Sequence, residues 1–272
     1  MRSMIEVFTI ATGQVRPVLA AEGRIEAPNW DPSGDSLLVN GGGRLYRVPL
    51  DAPRLEPVDT GFATRCNNDH GISPDGSLIV VSHHTDRGSE LFVLPATGGT
   101  PVAVTRNAPS YWHGWSPDGA RLAYVAKRGG GHFDVYTIAV PGGEETRLTQ
   151  GEGHCDGPDY APDGRIFYNC DRTGHAQIWV MDADGSNQRQ VFADDHVNWF
   201  PHPSPDGQRL LYLAYPPGTT GHPQDLPVAL VLCDMDGGNR RRVLEFTGGQ
   251  GTINVPCWAP DGSAFAYVRY DP

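Results

Sequence analysis

The sequence predicts an all-β protein, a single six-bladed β-propeller over residues 1–272 with four antiparallel strands in each blade. The first observation behind this prediction is a turn tetrapeptide, Ser/Ala-Pro-Asp-Gly, which starts at residues 73, 116, 161, 204 and 259, with a degenerate copy at residue 31. Most copies lie 42 to 45 residues apart, and four-stranded units of that period are typical of propeller blades. The second observation is that no segment shows sustained helical periodicity.

Each repeat predicts four strands, and the third repeat shows them well. Residues 112–116 lead into the turn, residues 120–126 alternate as a second strand, and residues 133–140 and 145–150 supply the third and the short, polar fourth. In the turn itself, proline presets φ, aspartate bonds to the local backbone and glycine permits the tight exit. We therefore interpret the tetrapeptide as a structural hairpin turn between the first two strands of a blade.

The chain ends predict how the propeller closes. Residues 252–270 supply only a first and a second strand, and residues 3–21 supply only a third and a fourth. Together they make one whole blade, so we expect the N- and C-terminal strands to share the last blade. Such a closure removes the free edges that an open stack would expose.

An aromatic slot stands directly before the turn. Aromatic residues occupy it in four repeats, whereas the other two repeats have an aliphatic residue or a proline there. The aromatic residues are Trp30, Trp115, Tyr160 and Trp258, and the exceptions are Ile72 and Pro203. The slot, the turn and a strand such as Arg-Leu-Ala-Tyr-Val at residues 121–125 resemble the PD40 repeat of TolB-like propellers over essentially the whole chain. The resemblance implies the fold. It implies no single function, because the repeat occurs in a periplasmic scaffold protein, in peptidase-associated propellers and in sugar-acid lyases.

Composition narrows the classes of partner. The net charge of −11 argues against nucleic-acid binding, which needs clustered Lys and Arg. No apolar run is long enough to cross a bilayer, and Glu6 interrupts the N-terminal apolar stretch, so no signal peptide is predicted. Five cysteines without CxxC spacing predict mostly buried thiols in a reducing compartment. The expected location is the cytoplasm, or the periplasm if a native leader was removed.

Propeller geometry sorts the loops between two faces. With the strands of a blade named A to D from the axis outward, the D-to-A and B-to-C connections share one face, here called the histidine face. The A-to-B and C-to-D turns share the other, here called the turn face. All ten histidines fall on the histidine face, which suggests function because binding residues concentrate in such loops. They are His70, His83, His84, His113, His132, His154, His175, His196, His202 and His222.

Strand A is innermost, so the positions two and four residues before the aromatic slot should ring the mouth of the axial channel. A small polar ligand or a protein partner is predicted to bind there. The candidate ligand-binding residues are Asn68, Asp69, His70, Tyr111, Trp112, His113, His154, Asp156, Asn198, Trp199, His202, Gln250 and Asn254. An insertion at residues 215–226, with His222 and Asp225, belongs to the same face and is expected to overhang the mouth as a lid.

His70 and His113 occupy the same register in adjacent blades. They are the candidates for a divalent metal ion, with carboxylate help from Asp69 and Asp156. The alternative, which the sequence leaves open, is a pair of histidines that hydrogen-bond to neighbouring loop backbone.

Two further features of the histidine face have structural alternatives. Five basic residues could recruit a carboxylate or a phosphate, although for each one a solvated loop charge is the alternative. They are Arg65, Arg106, Lys127, Arg128 and Arg172. Residues 248–251 are rich in glycine, but no helix follows them, so they predict a tight loop rather than a phosphate cradle.

The leading function is therefore a binding propeller with a histidine-rich axial mouth. The alternative is a metal-dependent lyase or hydrolase acting on a sugar or sugar acid. It follows from the resemblance to oligogalacturonate lyases, which hold a divalent metal among histidines; His70 or His113 would be ligand or base, and Arg65 or Arg106 the carboxylate clamp. A third class, an assembly scaffold, predicts exposed apolar patches. A serine hydrolase is not favoured, because Gly-x-Ser-x-Gly is absent.

Overall fold

The computed structural model describes residues 1–151 and 153–271, and these residues form six β-sheets and no helix. Each sheet is one blade of a propeller with antiparallel neighbouring strands, which confirms the predicted fold class. The described part of the chain contains no helix that could span a membrane.

The strands follow one another blade by blade. The chain begins with β1 (Arg2–Thr9) and β2 (Val15–Glu22). The first complete blade contains β3 (Glu26–Trp30), β4 (Ser36–Gly41), β5 (Arg44–Pro49) and β6 (Glu56–Pro57). The second contains β7 (Cys66–Ile72), β8 (Leu78–Thr85), β9 (Gly88–Pro95) and β10 (Val102–Ala103). The third contains β11 (Ser110–Trp115), β12 (Arg121–Ala126), β13 (Asp134–Ala139) and β14 (Thr146–Arg147).

The remaining strands complete the ring. The fourth blade contains β15 (Cys155–Tyr160), β16 (Ile166–Cys170), β17 (Gln177–Met181) and β18 (Arg189–Gln190). The fifth contains β19 (Val197–Pro203), β20 (Arg209–Tyr215), β21 (Leu226–Asp234) and β22 (Arg241–Gly248). The last strand is β23 (Ala264–Asp271).

The sixth blade joins the two chain ends as predicted. Its sheet has the order β2-β1-β23, so N-terminal strands pair directly with the C-terminal one. The innermost position is taken by residues 252–258, which bridge to β23 at Trp258 and Phe265. The amide of Ala266 also donates to the carbonyl of Cys257 at 2.9 Å. The ring thus closes without a free edge between first and last blades.

The repeated turn is held by its own side chains. In the third blade, Ser116 Oγ donates to Asp118 Oδ1 at 2.6 Å, and the amides of Ala120 and Arg121 donate to Asp118 Oδ1 and Ser116 Oγ at 3.0 and 2.9 Å. Gly119 adopts a φ of +69°, a conformation that glycine reaches without steric penalty. The turn is therefore a local structure, fixed within six residues of chain.

A β-bulge interrupts the innermost strand of the first five blades, at the end nearest the histidine face. The pairing shifts at Glu26/Asn29, Cys66/His70, Trp112/Gly114, Asp156/Asp159 and Trp199/His202. Three residues in these bulges, Ala27, Gly157 and Phe200, have φ between 54° and 56°. Bulges re-aim side chains, so these positions determine what faces the channel mouth.

The opposite end of the channel is an apolar vestibule of about 340 Å³ on the turn face. The prolines of all six turns line it, together with the aromatic slot residues Trp30, Trp115, Tyr160 and Trp258. Trp115 and Trp258 are also packed into hydrophobic clusters between blades. The slot therefore belongs to the packing of the blades, as the repeat pattern indicates.

The cysteines differ in part from the prediction. Cys66, Cys233 and Cys257 are free and buried, as expected. Cys155 and Cys170, however, form a disulfide between β15 and β16, where they are directly opposite partners. The prediction of mostly buried thiols therefore holds for three of the five cysteines and not for this pair, which the strand register brings face to face although the two residues are 15 apart in sequence.

Candidate functional site

A cavity of about 290 Å³ opens at the axial mouth on the histidine face. Its wall combines carboxylates, imidazoles, amides and aromatic rings from blades two to six. The lining residues are Asn67, Asp69, Tyr111, His113, Val125, Phe133, His154, Asp156, Phe200, His222, Gln250 and Asn254. Such a mixture of apolar wall and convergent polar groups is characteristic of small-ligand sites.

Asp156 is the centre of this cavity. Nε2 of His113 lies 3.0 Å from Asp156 Oδ1, and Nε2 atoms of His154 and His222 lie 3.5 and 3.7 Å from Oδ2. The three imidazoles come from β11, from the connection before β15 and from the insertion between β20 and β21. The contacts thus tie three blades to one carboxylate.

The charge state of this cluster follows from its hydrogen bonds. His113 donates from Nδ1 to the carbonyl of Asn254 at 3.2 Å and from Nε2 to Asp156, which requires the doubly protonated ring. Burial by itself lowers the pKa of His113, but the bond to Asp156 and the charges of Asp69 and Asp156 raise that pKa to about 9. For Asp156 burial acts in the opposite direction and raises the pKa, yet the hydrogen bonds from His113 and His154 hold that pKa well below its usual range.

Asp69 is the second buried carboxylate of the cavity, and its surroundings raise its pKa where those of Asp156 lower it. It is only 5 % exposed, and its Oδ2 accepts a 2.6 Å bond from Asn67 Nδ2. No donor among the described residues bonds to its Oδ1. Burial raises the pKa of Asp69 to about 7; the charge of His113 opposes this increase and that of Asp156 adds to it. This carboxylate therefore changes its charge near neutral pH.

The insertion between β20 and β21 reaches over the mouth. Tyr215 Oη and the amide of Gln250 donate to the carbonyl of Pro223 at 3.0 and 3.2 Å. These bonds fix the insertion, and the His222 ring lies 4.3 Å from the Trp199 ring and 5.3 Å from the Phe200 ring, measured between centroids. Burial lowers the pKa of His222, which keeps the ring neutral.

Seven of the predicted candidates line this cavity. They are Asp69, Tyr111, His113, His154, Asp156, Gln250 and Asn254. Sequence reasoning did not include Asn67, Val125, Phe133, Phe200 and His222 among them. His222 had a signal, since it lies in the one sizeable insertion. Phe200 directly follows the candidate Trp199 in sequence, and it lies in the bulge of β19 that brings it into the cavity wall.

The other six candidates lie outside the cavity lining. Asn68 bonds to Glu26 and Gln250, Trp112 is a core residue between blades, and Asn198 bonds to Asp194. Trp199 packs behind His222, and His202 contacts Asp159 Oδ2 at 2.9 Å and the carbonyl of Ile253 at 2.6 Å. His70 is fully buried and bonds through Nε2 to the carbonyl of Leu38 at 3.2 Å, and burial lowers its pKa to about 4.

A metal site at His70 and His113 does not fit this arrangement. His70 contacts backbone below the cavity, and both ring nitrogens of His113 donate hydrogen bonds, whereas a metal ligand needs a free nitrogen lone pair. Among the residues that the structure describes, no three His, Cys, Asp or Glu side chains are placed to hold a metal ion.

The predicted basic residues also lie outside the cavity lining. Arg128 pairs with Glu145 at 2.7 Å, Arg65 approaches Asp86 at 3.4 Å, and Arg172 stacks over the Trp179 ring at 4.4 Å. Arg106 and Lys127 line neither the cavity nor the vestibule. In the described residues, no Lys or Arg contributes to the cavity wall.

Fold and cavity together define a class of protein, a closed six-bladed propeller with a polar axial mouth. Comparisons with known proteins give the family. The model of the TolB beta propeller domain, PD40, matches residues 105–222. The uncharacterized protein Atu1656 of Agrobacterium fabrum is 52% identical over 275 residues, which cover 100% of this chain and 94% of that protein. The chain belongs to the TolB-like β-propeller family.

Solved structures agree on the fold. A structure from Agrobacterium tumefaciens, provisionally named TolB, superimposes with a TM-score of 0.98 at 51% identity and covers 100% of this chain and 99% of its own. An oligogalacturonate lyase in complex with manganese matches with a TM-score of 0.58 at 16% identity over 89% of this chain and 72% of its own. That second likeness concerns the fold alone.

Proposed function

We propose that the axial cavity is a binding site for a small polar ligand. The observation that carries this proposal is the gathering of Asp69, Asp156, His113, His154 and His222 around one cavity. Burying ionisable groups is costly, and clusters of them with displaced pKa values are typical of functional sites.

A protein partner would have to reach this cavity with a side chain or a chain end, because about 290 Å³ is near the lower limit for small-molecule pockets, which is about 300 Å³. A scaffold role has less support. The exposed large hydrophobic side chains in the described residues are single residues from four separate parts of the chain, namely Met1, Val15, Phe62 and Val102.

The alternative of a metal-dependent lyase or hydrolase on a sugar or sugar acid is not better supported. It required a carboxylate clamp, and Arg65 approaches Asp86 instead of the cavity. It also required histidines free to hold a metal, and His113 donates from both nitrogens.

The experiment is a ligand-observed NMR screen with monosaccharides, uronic acids, amines and amino acids. We expect at least one compound to bind, and we expect His222→Ala to weaken that binding about tenfold, because the ring forms part of the wall. His132→Ala, which changes an exposed histidine on the same face, should leave it unchanged. A screen without any binder, or a binder indifferent to His222→Ala, would overturn the proposal.

The cellular compartment of the protein is a further part of this proposal. The three free thiols are compatible with the predicted cytoplasm, whereas the Cys155–Cys170 disulfide favours an oxidising compartment. The disulfide carries more weight, because buried free thiols also occur in oxidising surroundings, so we favour the periplasmic alternative.

A further inference from the structure

The charged groups in the cavity wall are unevenly distributed. Two carboxylates, Asp69 and Asp156, line it, and a third, Glu26, accepts a hydrogen bond from Asn68 at 3.2 Å and adds negative charge near Asp69. The permanent cations of the protein, Lys and Arg, are missing from the described wall. The positive charge comes from imidazoles alone, so a negative ligand would face carboxylates without a guanidinium or ammonium to bind it.

Asp156 is already neutralised, but Asp69 is not. Asp156 receives Nε2 of His113 and the amide of Gly157, at 3.0 and 2.8 Å. Among the described residues, Asn67 donates to Oδ2 of Asp69 and no donor reaches Oδ1, which is accessible in the cavity wall although the residue as a whole is only 5 % exposed. An ionised carboxylate in so largely buried a residue is costly unless it is paired. A ligand that brings a positive charge or N–H groups would satisfy it.

Aromatic rings form the rest of the wall. The Tyr111 and Phe133 rings lie 5.8 Å apart, Phe133 and His154 5.3 Å, and the Phe200 ring stacks 6.2 Å from that of His113. Phe200 holds this place with a φ of +54°, a strained conformation for a bulky residue that persists where surroundings enforce it. Ring faces attract cations, and cages of aromatic rings bind quaternary ammonium groups.

From these three observations we infer that the ligand of the axial cavity is a small organic cation, an amine, amidine or quaternary ammonium compound, bound by Asp69 among the rings of Tyr111, Phe133 and Phe200. The inference rests on the proposed function, whose ligand class it names. The cationic group meets the open oxygen of Asp69, and the carbon skeleton contacts the rings. One positive charge offsets the carboxylate that the imidazoles leave unpaired.

The test uses matched compounds that differ in charge and not in shape. Choline is compared with its neutral isostere 3,3-dimethyl-1-butanol, cyclohexylamine with cyclohexanol and cyclohexanecarboxylate, and benzamidine with benzamide. Binding to the full chain at pH 8 is measured by ligand-observed NMR and calorimetry. We expect at least one cation to bind about tenfold more tightly than its neutral partner, and cyclohexanecarboxylate to bind least. If no cation exceeds its neutral partner, the inference is wrong.

Asp69→Asn supplies the second measurement, because it keeps the shape and removes the charge. The preference for the cation should fall below about threefold in this variant, while the neutral partner binds as before. Asp86→Asn, at an exposed carboxylate of the same face, is the control and should leave the preference unchanged. An equal preference in Asp69→Asn and the parent would contradict the role of Asp69.

The outcomes separate this inference from the proposed function. Binding of cyclohexanol or the carboxylate that His222→Ala abolishes would overturn the cation class and keep the cavity as a binding site. Binding of cations that survives His222→Ala and Asp69→Asn would place them elsewhere and overturn the inference. If no compound of either panel binds, both the proposed function and the inference are wrong.

Discussion

Aspartates at the two ends of the axial channel differ in exposure and in hydrogen bonding. On the turn face, Asp75 and Asp118 are exposed, and among the described residues each accepts hydrogen bonds only from its own turn. Those bonds lower the pKa of both, that of Asp75 to about 2. On the histidine face, Asp69 and Asp156 are buried, and Asp156 contacts His113 and His222, which come from two distant segments of the chain. The position of an aspartate along the repeated blade therefore determines whether its carboxylate stabilises a turn or lines the cavity.

The difference shows how a repeat protein acquires a site. The turns can be alike in every blade, because the hydrogen bonds of each turn are made within that turn. The blades cannot be alike at the mouth, since Asp156 needs His113 from the third blade and His222 from the fifth. Chemistry thus resides in residues by which the blades differ, and three pairs of substitutions test this view.

The largest effect is expected from Asp156→Ala. The change leaves the His113 imidazolium buried without its partner, and removing one member of a buried ion pair costs about 3–5 kcal/mol. Urea denaturation at pH 7 should show a loss of unfolding free energy of that size. Asp118→Ala, which removes the corresponding carboxylate from an exposed turn, should cost clearly less. Equal losses at the two positions would break the comparison between the faces.

The fold was predictable because the turns are local. Ser116, Asp118 and Gly119 satisfy one another within a few residues, so a short motif reports the turn, and its recurrence reports blade number and register. The shared sixth blade followed from counting strands at the two chain ends. Nothing in this reasoning required knowledge of contacts between distant residues.

The site was less predictable, because bulges decide which side chains face the cavity. His70 and His113 hold the same register relative to the turn, yet they behave differently. In β11 the unpaired residue at the bulge is His113, which enters the cavity. In β7 the bulge covers residues 67–69 and His70 is paired with Val81, so Asp69 enters the cavity and His70 is buried. The two bulges differ in length and position, with three unpaired residues in β7 against one in β11, and this difference has no visible signal in a single sequence.

The second prediction compares a glycine from each face. Gly119 on the turn face and Gly249 at the mouth both have φ in the left-handed region, +69° and +120°. A Cβ at position 119 would lie 3.7 Å from Pro74, an ordinary contact, whereas one at position 249 would lie 2.2 Å from the carbonyl oxygen of Pro223. Gly119→Ala should therefore cost about 1–2 kcal/mol, and Gly249→Ala about 3 kcal/mol, because overpacking adds to the strain.

Gly249→Ala should also displace the insertion that carries His222, so ligand binding should weaken in this variant and not in Gly119→Ala. Thermal denaturation measures the first effect and ligand titration the second. If both variants lose the same stability and bind alike, the mouth is no more tightly constrained than the turns.

The smallest effect concerns the pH dependence of stability. Burial raises the pKa of Asp69 to about 7, well above its value of about 3.9 in an unfolded chain. The native state therefore binds a proton that the unfolded state has lost, and this contribution to stability disappears as the pH rises through 7. Between pH 6 and 8 the parent protein should lose about 1 kcal/mol relative to Asp69→Asn, as measured by urea denaturation at each pH. Asp75→Asn on the turn face should run parallel to the parent over this range, because the pKa of Asp75 is about 2 and its carboxylate is charged throughout. A parallel course for Asp69→Asn as well would mean that Asp69 is ionised at the mouth as freely as Asp75 is at the turn, and the contrast between the two faces would then be one of position alone.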